Sequence, residues 1–235
     1  MTPDGIRDSG FGLRVSGSTR IPNPNAQIPR LNAIVDVDAS VRAGWRPADL
    51  TRAFLAGGAR FLQLRAKSMA GAELLDTASA IVELARAHDA VVVINDRADI
   101  ARLAGADGVH VGQDDLPPRD VRTIVGNRAI VGLSMHTIEQ IDRAVEQPVS
   151  YVAIGPVFGS VTKATGYDRV GIVMVSEAAK RARARGLPLV AIGGITLVTA
   201  ASVIEAGATS VAIIGDLLAS GDPEARVRAY IKTLA

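Results

Sequence analysis

The feature that most constrains this chain is a rhythm. From Leu31 onward, short aliphatic runs alternate with amphipathic stretches, eight times over. The runs are LNAIVD (31–36), RFLQLR (60–65), VVVIN (91–95), GVHV (108–111), AIVGL (129–133), YVAIG (151–155), PLVAI (188–192) and SVAII (210–214). Between and after them, helical patterns run from about Pro47 to Ala56, Ala70 to Ala87, Arg97 to Leu103, Pro117 to Val125, Thr137 to Val145, Ile172 to Arg185, Leu197 to Ala206, and Pro223 to Leu234. A run such as VVVI has no polar alternation, as expected of a parallel strand covered on both faces. Pro47, Pro117 and Pro223 stand at helix starts, where a missing N–H costs nothing. Gly57, Gly186 and Gly207 stand at helix ends. Eight strand–helix units in about 205 residues predict a (β/α)8 TIM barrel, an α/β fold. A doubly wound open sheet is the competing architecture. It ordinarily places a glycine-rich turn after its first strand, and VDVDASVRAG follows here instead.

Composition narrows the function classes. Aromatic residues make up 3% of the chain, so the core must be built from Ala, Val, Ile and Leu. There is no cysteine, which removes disulfides and thiolate metal sites. No apolar run approaches the roughly 20 residues that span a bilayer. The opening MTPDGIRDSGFGLR lacks the apolar centre of a signal peptide. The reading is a cytoplasmic protein with no membrane partner. The net charge of +2, without Lys/Arg blocks interleaved with aromatics, gives no support to a nucleic-acid partner. Residues 1–30 are rich in Gly and Pro without periodicity and are expected to form a flexible or loosely docked extension. Residues 31–235 are expected to form one barrel domain. Assembly is left open, a homo-oligomer included.

In such a barrel the chemistry lies at the C-terminal ends of the strands. Those ends are polar here, and the opposite ends (GGA, HDA, GAD, GAT) are bland. Strand 2 ends QLRAK, bringing Gln63, Arg65 and Lys67. Two cations spaced by two residues can share one face, and they suit a phosphate group. Solvated cations beyond a strand are the plainer reading. Strand 3 ends INDR, with Asn95 and Asp96, and strand 4 ends HVGQDD, with Asp115. Asp96 also reads as a cap for the helix beginning near Ala98, and Asp115 as a cap just before Leu116-Pro117. Paired on adjacent strands, at a spacing of ~5 Å, they would instead suit Mg²⁺. That ion takes one or two carboxylates together with water and substrate phosphate oxygens. Asn95 would then hydrogen-bond substrate.

Gly193-Gly194 and Ile214-Gly215 close strands 7 and 8, where barrels often hold phosphate on backbone N–H groups. A tight turn is the alternative. The longest connection, Gly155 to Arg169, reads as a lid or as a plain surface loop, with Lys163 its chemical residue. His88 reads as a surface residue, His110 as a packed, hydrogen-bonded side chain, and His136 as a rim residue within reach of substrate.

Taken in order, QLRAK, INDR, GVHVGQDDL, GLSMH, GPVFGSVTK and AIGGI resemble the motifs of the thiamine phosphate synthase family, from about Leu31 onward. The resemblance implies a (β/α)8 barrel that joins a hydroxymethylpyrimidine diphosphate to a thiazole phosphate, giving thiamine phosphate and pyrophosphate. It implies that Gln63, Arg65, Lys67, Asn95, Ser134 and Lys163 hold the pyrimidine diphosphate, with Lys163, Arg65 and Lys67 the catalytic cations. It implies that Asp96 and Asp115 hold Mg²⁺, and that Ser160, Thr162, Gly194, Ile214 and Gly215 hold the thiazole phosphate. The family's Pro-Thr is Gly159-Ser160 here, which keeps a hydroxyl. Gly215 stands where the family often has Ser, which leaves only a backbone contact there. A thiazole tautomerase and a non-catalytic phosphate-binding barrel are the competing functions. The paired carboxylates and the intact basic cluster argue against both.

Overall fold

The computed structural model describes residues 28–159 and 168–235. Most of the expected extension, and Ser160, Thr162 and Lys163, therefore lie outside the described residues. Eight parallel strands close into a barrel in chain order: β1 (Leu31–Asp36), β2 (Phe61–Arg65), β3 (Val91–Asn95), β4 (Gly108–Val111), β5 (Ile130–Met135), β6 (Tyr151–Ile154), β7 (Leu189–Ile192) and β8 (Ser210–Ile213). The open-sheet alternative is ruled out by closure, since β8 pairs directly with β1, Asn32 opposite Ala212.

Around the barrel run α1 (Val37–Arg42), α2 (Pro47–Ala56), α3 (Gly71–Arg86), α4 (Ala98–Ala104), α5 (Pro118–Val125), α6 (Ile138–Ala144), α7 (Gly171–Ala184), α8 (Ala200–Glu205) and α9 (Pro223–Leu234). The short helix α1 was not expected. It spans six residues, too few for a period to show, and it exists because Asp36, the last residue of β1, accepts a hydrogen bond from the Ala39 N–H at 2.8 Å. Helix α8 is shorter than its sequence pattern. The stretch before it is a turn in which the Thr199 hydroxyl accepts from the Thr196 N–H at 3.0 Å.

Period-two alternation sorts each strand into two faces. Outward residues such as Ala33, Val35, Leu62, Leu64, Val92 and Ile94 pack against the helices in one continuous apolar layer. The inward residues Ile34, Phe61, Val93, Ile130, Tyr151 and Val190 form a second, separate cluster that fills the barrel. Phe61 and Tyr151 meet edge to face at 5.9 Å, across an angle of 85°. With so few aromatics in the chain, this one pair supplies the bulk that closes the interior, and Ile28 packs against the same cluster. Above it, the inward positions of β1 to β5 are polar or glycine (Asp36, Gln63, Arg65, Asn95, His110, Gly132 and Ser134), whereas β6 to β8 keep Ala153, Ile192 and Ala212 there, and that change on one side converts a packed core into a site.

The β4–β5 seam leaves no room for a side chain at Gly108. A Cβ there would lie 2.0 Å from the Ile130 carbonyl oxygen, its own ladder partner. Backbone on backbone cannot relax by a rotamer change. Gly108→Ala is therefore expected to cost about 3 kcal/mol of stability, seen as a lowered urea midpoint. An unchanged midpoint would contradict this close pairing.

Candidate functional site

The inward residues at the C-terminal ends of the strands surround a cavity of about 740 Å³. Gln63 and Arg65 of β2, Asn95 of β3 and Ser134 of β5 line one side. Gly194, Ile214 and Gly215, beyond β7 and β8, line the other. Register brings these together: Gln63 lies opposite Ile34 and Val93, Asn95 opposite His110, and His110 opposite Gly132. Lys67, Asp96 and Asp115 do not line the cavity. They stand outside it, on the loops after β2, β3 and β4.

The basic cluster is already paired with acids. Arg65 donates to Asp36 in a bridge whose side chains are 14% and 4% exposed. The Asp36 carboxylate also caps α1, so the guanidinium is fixed from below while Arg65 lines the cavity. Lys67 pairs with Asp96, and its side chain is 49% exposed, so this ammonium keeps its freedom. Asp36 was not singled out in the sequence. Its signal was period two in β1, which turns Asn32, Ile34 and Asp36 to one face.

Neither candidate metal carboxylate caps a helix. Helix α4 begins after Arg97 and α5 after Pro117, each without a side-chain cap. Asp115 instead accepts from the Gly112 N–H at 2.8 Å, tightening the loop after β4. Asp96 sits at φ 63°, in the left-handed region that only Asn, Asp and Gly enter readily. There its backbone N–H donates to the His110 carbonyl at 2.7 Å. Burial pushes its carboxyl above the usual carboxylate range. The Lys67 ammonium opposes that shift and the neighbouring Asp115 carboxyl adds to it. Two half-buried carboxyls close enough to disturb each other can take a hard divalent cation. Among the described residues no group of three or more His, Asp or Glu gathers anywhere, so substrate or water oxygens would have to complete such a shell.

The far side of the cavity is built of backbone. Gly193 and Gly194 have φ of 100° and 67°, and a Cβ on Gly194 would lie 2.0 Å from the Gly159 carbonyl oxygen. Val157 and Phe158 donate to the carbonyls of Ile192 and Gly193, both at 2.9 Å, which lays the start of the loop after β6 against the end of β7. Beyond β8, Asp216 anchors the turn. It receives bonds from the Leu197 N–H at 3.1 Å, the Tyr230 hydroxyl at 2.5 Å, and Nε and Nη2 of the Arg226 guanidinium. This anchor was not read from the sequence, because its partners lie ten and fourteen residues away on α9, a spacing with no local signature.

The three histidines divide as read. His88 is exposed and His110 is buried with both ring nitrogens in hydrogen bonds. His136 lines the cavity with Nδ1 2.6 Å from the Gly155 carbonyl.

Known proteins resemble this chain in sequence and in fold. A family model described as thiamine monophosphate synthase matches residues 31–217. The thiamine-phosphate synthase of Roseiflexus sp. (strain RS-1) is 39% identical over 221 residues, covering 91% of this chain and 92% of that protein. That of Koribacter versatilis is 43% identical over 215 residues, covering 88% and 97%. The solved thiamine phosphate pyrophosphorylase from Pyrococcus furiosus superposes with a TM-score of 0.77 at 26% identity, covering 87% of this chain and 95% of that one. The barrel, the order of its rim motifs and these relatives agree: the chain belongs to the thiamine monophosphate synthase family.

Proposed function

We propose that the rim cavity joins 4-amino-2-methyl-5-(diphosphooxymethyl)pyrimidine to a thiazole phosphate and releases pyrophosphate. The observation that carries this reading is the two-sided cavity. Polar side chains of Gln63, Arg65, Asn95 and Ser134 face a glycine-built corner at Gly194 and Gly215 across about 740 Å³. Sites for ligands of this size commonly enclose some 300–1,000 Å³, so two heterocycles with their phosphates are a fitting load.

The reaction breaks the bond between the pyrimidine methylene and its diphosphate oxygen, and the electron pair leaves with pyrophosphate. The amino group of the pyrimidine ring stabilises the methylene cation that remains. The thiazole nitrogen then donates its lone pair and forms the new C–N bond. No protein nucleophile is needed. The protein's task is to hold charge and to align the two reactants. Arg65, immobilised by Asp36, suits recognition of the diphosphate. Lys67, more mobile, can leave Asp96 when a phosphate oxygen or a cation arrives. Backbone N–H groups near Gly194 and Gly215 suit the thiazole phosphate, with Ser160 and Thr162 their expected hydroxyl partners. Asp96 and Asp115 would hold Mg²⁺, whose bound charge would offset that of the leaving diphosphate.

Mixing the two substrates with the protein and Mg²⁺ should release pyrophosphate and form thiamine phosphate, and absence of both products would overturn the reading. Asp96→Asn carries two opposed expectations. Because the folded chain raises the proton affinity of Asp96, the ionised carboxylate costs stability at neutral pH. That cost vanishes as pH falls below the ordinary Asp value near 3.9. The exposed Lys67 pairing offsets little of it. The variant should melt on the order of 1–2 °C above the parent at pH 7, the gap closing by about pH 3.5. Its turnover should fall by about tenfold or more. A lower melting temperature with unchanged turnover would sink the metal assignment. Lys163 takes its role from its place in GPVFGSVTK. Lys163→Ala should slow the chemical step on the order of 10²-fold while leaving thiazole phosphate affinity nearly unchanged, as single-turnover kinetics at saturating thiazole phosphate would show. An unchanged chemical step would assign the leaving charge to Arg65, Lys67 and the metal alone.

A further inference from the structure

Below Ser134 three side chains from consecutive strands form one hydrogen-bonded column. Tyr151 of β6 places its hydroxyl 2.8 Å from His110 Nδ1, and His110 of β4 places Nε2 2.8 Å from the Ser134 hydroxyl of β5. The two rings stack at 5.5 Å, 25° from parallel. The column exists because β5 carries glycine at its centre: a Cβ on Gly132 would lie 2.1 Å from the Tyr151 ring and 2.5 Å from His110 Nδ1.

We propose that His110 is a positioning residue which, held with its proton on Nε2 by Tyr151, fixes the Ser134 hydroxyl as a donor pointing into the cavity. The argument follows the protons. Tyr151 is fully buried, and among the described residues its hydroxyl meets no partner other than Nδ1. A buried O–H without an acceptor costs free energy, so it donates to Nδ1. Burial also pushes the tyrosine far above its ordinary range, which keeps that proton in place. Nδ1 is then an acceptor, and the proton of the neutral ring resides on Nε2. Nε2–H donates to the Ser134 oxygen and occupies one of its lone pairs. The serine proton is thereby turned away from the histidine, towards the cavity that Ser134 lines. The Ser134 carbonyl is occupied separately, by the Gln113 side-chain amide at 2.7 Å. A serine of fixed polarity selects an acceptor, such as an oxygen of the diphosphate or a ring nitrogen of the pyrimidine, and disfavours an N–H group at that point. The identity of that acceptor rests on the proposed function, whereas the proton order rests on the column alone.

The tautomer is read directly by long-range ¹H–¹⁵N correlation spectra of the histidine-labelled protein. His110 is expected to carry its proton on Nε2 alone. In Tyr151→Phe, which keeps the ring and removes the hydroxyl, the spectrum should shift towards a mixture of tautomers. With each substrate varied in turn, kcat of that variant should fall about tenfold while KM for the thiazole phosphate stays within about twofold. A proton on Nδ1, or on both nitrogens, in the parent protein would overturn the proposal without needing any variant to fold. So would parental kcat in a folded Tyr151→Phe. If the parent protein forms no thiamine phosphate, the functional reading fails, but the tautomer result still decides the proton order.

Discussion

Closure of the barrel is the constraint on which the rest depends. Once β8 pairs with β1 in parallel, every strand has a partner on both sides, and the in–out parity of each residue is locked to that of its neighbours. Slipping any one of β2, β3 or β5 by a single residue would turn Gln63, Asn95 or Ser134 into the helix layer and bring a leucine, isoleucine or methionine into the cavity. The site is therefore a property of the register of all eight strands. It also explains where the strictest steric demands fall. The glycines at 108 and 132 lie on the inward face, where partner strands and the His110–Tyr151 pair crowd the axis. A barrel whose main aromatic bulk is Phe61 and Tyr151 can spare the upper half of its interior for polar groups.

Charge at the rim is arranged in two grades of mobility. The Asp36–Arg65 bridge is almost wholly desolvated, so removing either partner alone would strand a buried charge, at a cost of about 3–5 kcal/mol. The Lys67–Asp96 pair is half in water and can exchange partners cheaply. On the proposed reading, the first pair would give an anionic substrate a fixed landmark. The second is an internal salt bridge that an incoming anion and cation could replace, each taking one half. An enzyme that must bind a diphosphate and later let go of pyrophosphate benefits from having both kinds.

Much of this was legible in the residues. Eight strands stand where the aliphatic runs stand, because a strand covered on both faces has to be continuously apolar. The polar rim followed from the uneven chemistry of the two ends of each strand. His110 read as packed and hydrogen-bonded, and is. What could not be read is pairing across the barrel. Tyr151 reaches His110 from 41 residues away, and Arg65 reaches Asp36 from 29. Such partners are set by strand order and register, which no local window contains. The capping readings of Asp96 and Asp115 show the same limit in reverse. Local spacing allowed a cap, yet the backbone turns at Asp96 and Gly112 aim the carboxyls elsewhere.

The anchor at Asp216 has a consequence for local opening. It ties the turn after β8 to Leu197 behind β7 and to Arg226 and Tyr230 on α9. Fraying of α9 would therefore release the turn that carries Gly215, while Gln63, Arg65 and Asn95 keep the ladders that join β1 to β4. The cavity would loosen from its glycine side first, so amide exchange in α9 would report on access to that corner.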